Sequence, residues 1–402
     1  MVRIILFDNE TRGRLLPLTF IRPTCEIRIG ILTIREKWER WLKGKVSYIT
    51  QDYLSEKYPI DHSKVNYIIN GSVLPSPQLV RLIQQMDFNE AFLRGEELIA
   101  AKLDEEQIEN LIRDDDIGEL RGFDLEGTDY LKVDNLWDIF TQNGQAIEED
   151  FELLTKGRQS QPLSDTNRVL GPAEKIFLEE GAKVECATLN TTGGPIYIGK
   201  EAEVMEGSHI RGGLALCEKG TIKMGTRVYG GTTIGPHSKV SGELHNCVLL
   251  GYSNKAHEGY LGNSVIGEWC NLGADANTSN LKNNYEPVKL WDYSSESFVD
   301  TGHQFCGLIM GDHSKTGINT MFNTGTVVGV SANVFGEGFP RNFIPSFSWG
   351  GKHGFQTYRT DKAFETAERV MARRGVDFDV QERLILLRVF EDTTRYRRWE
   401  KS

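Results

Sequence analysis

The stretch that decides the fold runs from Ile198 to Val240, IGKEAEVMEGSHIRGGLALCEKGTIKMGTRVYGGTTIGPHSKV. An apolar residue returns at every sixth position: Ile198, Val204, Ile210, Leu216, Ile222, Val228, Ile234 and Val240. A period of six fits neither the 3.6 of an amphipathic helix nor the strict alternation of a half-buried strand. It fits a triangular coil in which each six-residue side points one residue into a shared core, so that neighbouring coils bury one another. Glycine follows the ladder at Gly199 and Gly235, where the chain must turn tightly. An antiparallel sandwich would show period two and more closely spaced turn signals.

Outward from this run, glycines become frequent from Gly171. Ile266, Leu272 and Thr278 restart the ladder after a slip, and Met310, Thr316, Phe322, Val328 and Val334 continue it. The pattern predicts a left-handed parallel β-helix of hexapeptide repeats over residues 161–345. Residues 281–305, LKNNYEPVKLWDYSSESFVDTGHQF, break the register and read as a loop extruded from one corner. A regular coil has few structural reasons for such an excursion, so it is a candidate to shape a site. Residues 346–402 return to helical periodicity, with helices expected at Asp361–Arg374, closed by Gly375, and at Val380–Trp399. They would cap the open edge of the last coil.

Residues 1–160 alternate short apolar runs with helical patterns, the appearance of βαβ units around a parallel sheet. Val2–Phe7, Val46–Thr50 and Val65–Asn70 read as strands. Helices are expected at Ile31–Leu42, Pro77–Met86 (Ser76 as N-cap and Pro77 at N1), Glu105–Asp116 and Trp137–Leu154. The chain therefore reads as an α/β, Rossmann-like domain followed by the β-helix and a helical cap.

The net charge of −11 over 402 residues argues against nucleic acid as a partner, since phosphate neutralisation needs a basic surface. No signal-like segment or bilayer-length apolar run is present, so a cytoplasmic, membrane-free protein is expected. The six cysteines, Cys25, Cys186, Cys217, Cys247, Cys270 and Cys306, form no CxxC pair and read as small buried hydrophobes.

The densest collection of polar groups lies in residues 254–289, NKAHEGYLGNSVIGEWCNLGADANTSNLKNNYEPVK. His257, Tyr260, Asn271, Asn280, Lys282 and Lys289 fall within a few coils, where a rigid scaffold could converge them on one substrate. An imidazole beside amide donors suits proton removal from a nucleophile with stabilisation of an oxyanion. Equally, His257 and the asparagines read as turn residues bonded to their own backbone.

These residues resemble the acetyltransferase part of the GlmU-type bifunctional enzymes. The family pattern H-x-x-Y-L-G-D-x-x-I-G-x-x-x-N-x-G-A-G-T-x-x-x-N is met without gaps by His257, Tyr260, Leu261, Gly262, Ile266, Gly267, Asn271, Gly273, Ala274 and Asn280. Downstream, LIMGDHSKTGINTMFNTGTVVG (308–329) resembles the archaeal branch, so the similarity covers roughly residues 195–335. The resemblance implies that His257 is the general base for acetyl transfer from acetyl-CoA to the amine of a hexosamine-1-phosphate. It further implies that Tyr260 and Asn271 hold the sugar phosphate, and that Asn280 positions the amine or the oxyanion. The family's glycine and threonine after the alanine are Asp275 and Ala276 here. Its later lysine falls on Glu286, with Lys282 and Lys289 as nearby replacements. Arg227 and Lys239 read either as sugar-phosphate ligands or as solvated coil charges. For coenzyme A, the backbone at Ala274 and the side chains of Lys315 and Arg341 are the candidates. The family also implies a homotrimer with sites between neighbours.

At the other end, ILFDNETRGRLLPLTFIRPTCEIRIG (5–30) resembles the start of sugar-phosphate nucleotidyltransferases through Arg14, Pro17, Leu18, Thr19, Arg22 and Pro23. That family uses a glycine-rich loop, an arginine and a lysine for the triphosphate, and an aspartate in a G-D pair for Mg2+. Here the loop has one glycine, Thr24 replaces the lysine, and Asn70-Gly71-Ser72 has serine in place of the aspartate. Two readings stand. In one, the domain transfers a nucleotide from a nucleoside triphosphate with Mg2+, using Asp8, Arg14, Arg22, Arg28 and Asn70. In the other, it only binds or scaffolds. For the whole chain the alternatives to an acetyl-transferring enzyme of nucleotide-sugar synthesis are a nucleotidyltransferase only, a non-catalytic sugar-nucleotide sensor or scaffold, and a hexapeptide-coil metalloenzyme drawing on His209, His237, His257, His303 and His313. The histidine spacing reproduces no ligand set, so no metal is expected on the coil.

Overall fold

A computed structural model describes residues 3–114 and 118–401. The chain divides into two compact units. The first comprises Met1–Leu15, Arg22–Ile27 and Leu32–Asn135; the second comprises Leu16–Ile21, Arg28–Ile31 and Leu136–Ser402.

In the first unit, β1 (Arg3–Phe7), β2 (Lys45–Ile49), β3 (Asn66–Asn70), β4 (Glu90–Arg94), β5 (Glu97–Leu103) and β6 (Arg121–Asp124) form one sheet in the order β2-β1-β3-β5-β4-β6. β2, β1 and β3 are parallel, as the βαβ pattern predicts, but β5 runs antiparallel to both its neighbours. The sheet is therefore mixed, a correction to the expected parallel one. Gly95, with φ 61°, lets Arg94 and Glu97 pair across a tight reversal. The helix Ile34–Leu42 starts at a capping box, Thr33 accepting from the Glu36 amide and Glu36 from the Thr33 amide. Ser76 caps Pro77–Gln85 in the expected way. The helix Glu105–Asp114 follows; Val2 of the first expected strand, and Asp115 and Asp116 of this helix, lie outside the described residues.

The second unit is a three-faced parallel β-helix. Eighteen residues make one regular coil, and the eight ladder residues distribute over the faces in turn. Ile198, Leu216, Ile234, Leu249, Ile266, Met310, Val328 and Ile344 pair each with the next along one face. Leu189, Ile210, Val228, Leu244 and Leu261 line a second. Val184, Val204, Ile222 and Val240 line the third, where the next partner is Lys255. All eight are at most 2% exposed and belong to one continuous core. Of the cysteines, Cys186 departs from expectation: it is exposed in a turn with φ 50°, while the other five are buried.

The segment expected as one helix over 137–154 forms two, Asp138–Thr141 and Asn143–Thr155, packed on the coil within the second unit. Asn143 fixes this packing, accepting from the Gly30 amide at 2.7 Å and donating to the Gly231 carbonyl at 2.7 Å. The extruded loop leaves after Asn280, returns at Cys306, and contains an antiparallel hairpin, Lys289–Asp292 with Ser297–Asp300. The coil ends in a second hairpin, Ser348–Gly351 with Gly354–Thr357. Thr360–Ala372 and Val380–Asp392 follow. The last helix stops seven residues before the expected Trp399 because Arg397, fully buried, folds back to donate to the Phe390 carbonyl and the Thr393 hydroxyl. Among the described residues no helix is long and apolar enough to cross a membrane.

Candidate active site

His257 sits exposed in the four-residue turn 256–259 that joins Asn254–Lys255 to Tyr260–Ile266. Tyr260 stands on the face just beyond that corner. Its hydroxyl accepts from Asn280 Nδ2 at 3.0 Å, and partial burial raises its pKa. Asn280, 9% exposed at the next corner, donates its second amide hydrogen to Asn263 Oδ1 at 2.8 Å. Both hydrogens of the Asn280 amide are thereby spent, whereas the Tyr260 hydroxyl, as acceptor, keeps its own hydrogen to donate. Asn263 was missed in the sequence; its only signal is that it stands where the family has aspartate.

Arg227 lies close by in the fold, paired with Glu258 at 3.2 Å and Glu243 at 3.7 Å. Asn271 lies on the face that precedes the His257 corner, bridged to Asn254 below and Lys315 above. Lys239 is exposed on that same face. Tyr260 and Asn280 are thus brought together on one side of an edge, while Asn271 is on the other side and His257 is on the edge itself. Ala274 occupies the next turn, its carbonyl accepting from the Asn319 amide at 2.9 Å. The Lys315 ammonium turns inward, donating to the carbonyls of Trp269 at 2.9 Å and His313 at 3.0 Å, and burial lowers its pKa to about 8.

Lys282, Lys289 and Arg341 meet elsewhere, in a cleft of about 1200 Å³ bounded by the extruded hairpin, the last coil and the C-terminal segment. Lys352, Arg395 and Arg398 join them, with Glu296 as the one carboxylate in the lining. Trp291 stacks on Phe343 at 4.2 Å to form part of its floor. In the sequence the signal for this cationic wall is the run Arg395-Tyr396-Arg397-Arg398-Trp399, of which all but the buried Arg397 line the cleft.

In the first unit, Asp8 is committed internally, accepting from the Thr24 amide at 2.8 Å and the Thr50 hydroxyl at 2.6 Å. Arg22 is buried. Arg28 belongs to the second unit and donates to the carbonyls of Leu250 and Ile31. Arg14 pairs with Asp134 at 2.9 Å. Asn70 is buried, donating to Glu97 at 2.9 Å and accepting from the Ser72 hydroxyl at 2.8 Å. Of these, Asp8, Asn70 and, through the chain Asp134–Lys132–Glu97, Arg14 lie near the carboxyl ends of β1 and β3, where open α/β sheets bind ligands; Arg28 is not among them. The residues present do not fit a magnesium site. Ser72 offers no charge, and the nearby carboxylates, Glu97 and Asp134, are bridged by the Lys132 ammonium at 2.6 Å from each. On the coil, His237 and His313 are rings in a stack with Tyr252 and Trp269. Among the described residues no three of His, Cys, Asp or Glu converge as metal ligands.

Fold and site together define a protein with a nucleotidyltransferase-type domain ahead of a parallel β-helix with acyltransferase-like motifs. Residues 4–159 match the family of sugar nucleotidyl transferases. The bifunctional protein GlmU of Methanocaldococcus jannaschii is 37% identical over 89 residues, 22% of this chain and 21% of that protein. A bifunctional sugar-1-phosphate nucleotidylyltransferase/acetyltransferase of Sulfurisphaera tokodaii is 27% identical over 144 residues, 35% of each chain. The matched stretches thus span a fifth to about a third of these relatives, and over those stretches the chain is similar to them. The solved polysialic acid-specific acetyltransferase NeuO superposes on 53% of this chain and 99% of its own, at 14% identity and a TM-score of 0.28, a likeness too distant to bear on fold or activity.

Proposed function

We propose that the chain is a GlmU-like transferase of nucleotide-sugar synthesis whose β-helix moves an acetyl group from acetyl-CoA to the amine of a hexosamine-1-phosphate. The observation that carries this reading is the exposed His257 imidazole at a coil edge, three residues before Tyr260, whose hydroxyl accepts from Asn280. As the amine nitrogen bonds to the thioester carbonyl carbon, His257 takes the proton that nitrogen gives up. The carbon–sulfur bond then breaks and the thiolate of coenzyme A leaves. Tyr260 donates its remaining hydrogen to the sugar phosphate, and Asn280 acts by orienting Tyr260. Asn271 lies across the edge, so one copy alone does not enclose a substrate with all of these groups. A homotrimer in which a neighbour's face closes over the edge would complete the site.

The cationic, aromatic cleft fits the phosphates and adenine of coenzyme A, with Arg341 and Lys289 among its ligands. The amino-terminal unit is read as binding a sugar nucleotide or nucleoside triphosphate. Its Glu97–Lys132–Asp134 bridge supports no step through magnesium.

The test is release of free coenzyme A with glucosamine-1-phosphate and other hexosamine phosphates, for the native protein and His257→Ala. Loss of the base should lower kcat by about 10²–10⁴-fold with the fold intact. Turnover that survives His257→Ala removes this reading, and no turnover with any acceptor favours the sensor.

A further inference from the structure

The ladder of inward apolar residues has one charged intruder, and it lies two residues before His257. Lys255 takes the position that Val204, Ile222 and Val240 hold on the coils below, and it is 1% exposed. Burying an ammonium in an apolar prism is costly unless its hydrogens are satisfied. Here they are satisfied by the turn itself: Nζ donates to the carbonyls of His257 and Glu258.

The coil geometry explains why that turn needs such a donor. The corresponding turns at 205–208, 223–226, 273–276 and 317–320 each have four residues, and so does 256–259. The turn directly below it has only two, Ser241 and Gly242. A Cβ on Gly242 would lie 2.6 Å from the Gly259 carbonyl and 3.1 Å from that of His257, so the short turn is wedged under the long one. In the regular coils the amide of the third turn residue donates to the carbonyl of the second residue below, as Gly225 does to Glu206 and Asn319 to Ala274. That rule would send the Asp275 amide to the His257 carbonyl. Instead it donates to Glu258 at 3.0 Å, and the His257 carbonyl points to Lys255.

We propose that Lys255 is a positioning residue that rotates the 256–259 turn by one residue from the regular coil and so aims the His257 side chain outward at the edge. Its ammonium takes the place of the two residues that the shorter turn below lacks, and Lys223 holds the adjoining Ala256 carbonyl at 3.1 Å. A rigid frame for the base matters because small misplacements of a catalytic group lower the rate steeply. Burial also lowers the Lys255 pKa to about 8, which marks how strongly this site is desolvated. The consequence for catalysis rests on His257 being the base, as proposed above; the consequence for the turn does not.

The experiment uses the full chain and Lys255→Met, which keeps the length of the side chain and completes the apolar ladder. Two readouts are taken. Hydrogen exchange at the Asp275 amide should speed up at least tenfold, while the global melting temperature stays level or rises. In the acetyl-transfer assay kcat should fall about 30-fold with KM for acetyl-CoA unchanged, and Lys255→Arg should recover part of the rate. Exchange at Asp275 that matches the native protein overturns the proposal whatever the activity. Faster exchange with unchanged kcat, in a protein that His257→Ala inactivates, overturns its catalytic half. If His257→Ala stays active, the base assignment fails while the exchange result still decides the role of Lys255 in the turn.

Discussion

Stability of the β-helix should rise, not fall, as pH is taken from 7.5 to 9. Lys255 and Lys315 are both held by backbone carbonyls, and burial brings each pKa from 10.5 to about 8. Below pH 8 both folded and unfolded chains carry these protons, and the folded state bears the full cost of burying charge. Between 8 and 10.5 the folded lysines release protons that the unfolded chain keeps, so unfolding free energy climbs with pH. Each group contributes up to ~1.4 kcal/mol per pH unit inside that window. Opposing them are Cys247, Cys270 and Cys306, whose thiols burial raises from 9.0 to about 12. Their sign is reversed: above pH 9 the unfolded chain ionises them and the folded chain does not, so stability then declines. Two lysines win below pH 9 and three cysteines above it, which places the maximum near pH 9. Urea titrations at pH 7.5, 8, 9 and 10 under reducing conditions, on the native chain and on Lys255→Met/Lys315→Met, separate the terms. The native chain should gain about 2 kcal/mol more than the double variant between pH 7.5 and 9. Parallel curves for the two proteins would refute the idea that these lysines are desolvated in the fold.

Two glycines distinguish close packing from turn conformation. A Cβ on Gly235 would lie 2.2 Å from the Leu250 carbonyl, so Gly235→Ala should cost at least about 2 kcal/mol by thermal unfolding. Gly225 has open space around it and only its φ of 71° to lose, so Gly225→Ala should cost about 1 kcal/mol. In the cleft, Arg341→Ala and Arg398→Ala should each raise KM for acetyl-CoA about tenfold with kcat unchanged, the loss of one charge-assisted contact. A fall in kcat with KM constant would move that cleft from binding to some other role.

The architecture was legible wherever one residue type had a single physical solution. An inward position in a narrow prism admits only apolar side chains of limited size, so Ile198 to Val240 announce their own faces by arithmetic of six. The same arithmetic faltered after Val240 because two turns shorten there, and Leu244, Leu249, Lys255 and Leu261 are spaced by five, six and six rather than by a constant period. A lysine in that series looks like an outward residue, and only the pairing of Val240 with Lys255 shows that it points in. Residue identity also said nothing of how polar groups would be spent. Asn280 was expected to offer hydrogens to a substrate, yet both go to Tyr260 and Asn263, contacts 20 and 17 residues away that exist only once the coils stack. In the first unit Lys132 lies 35 residues from Glu97, and no local pattern foretells that an ammonium would stand between two carboxylates at the ends of the strands. What sequence conveys here is therefore the scaffold and the residue types that chemistry needs. Which hydrogens remain free to act is decided by neighbours one coil away, and the Lys255→Met comparison probes that level directly.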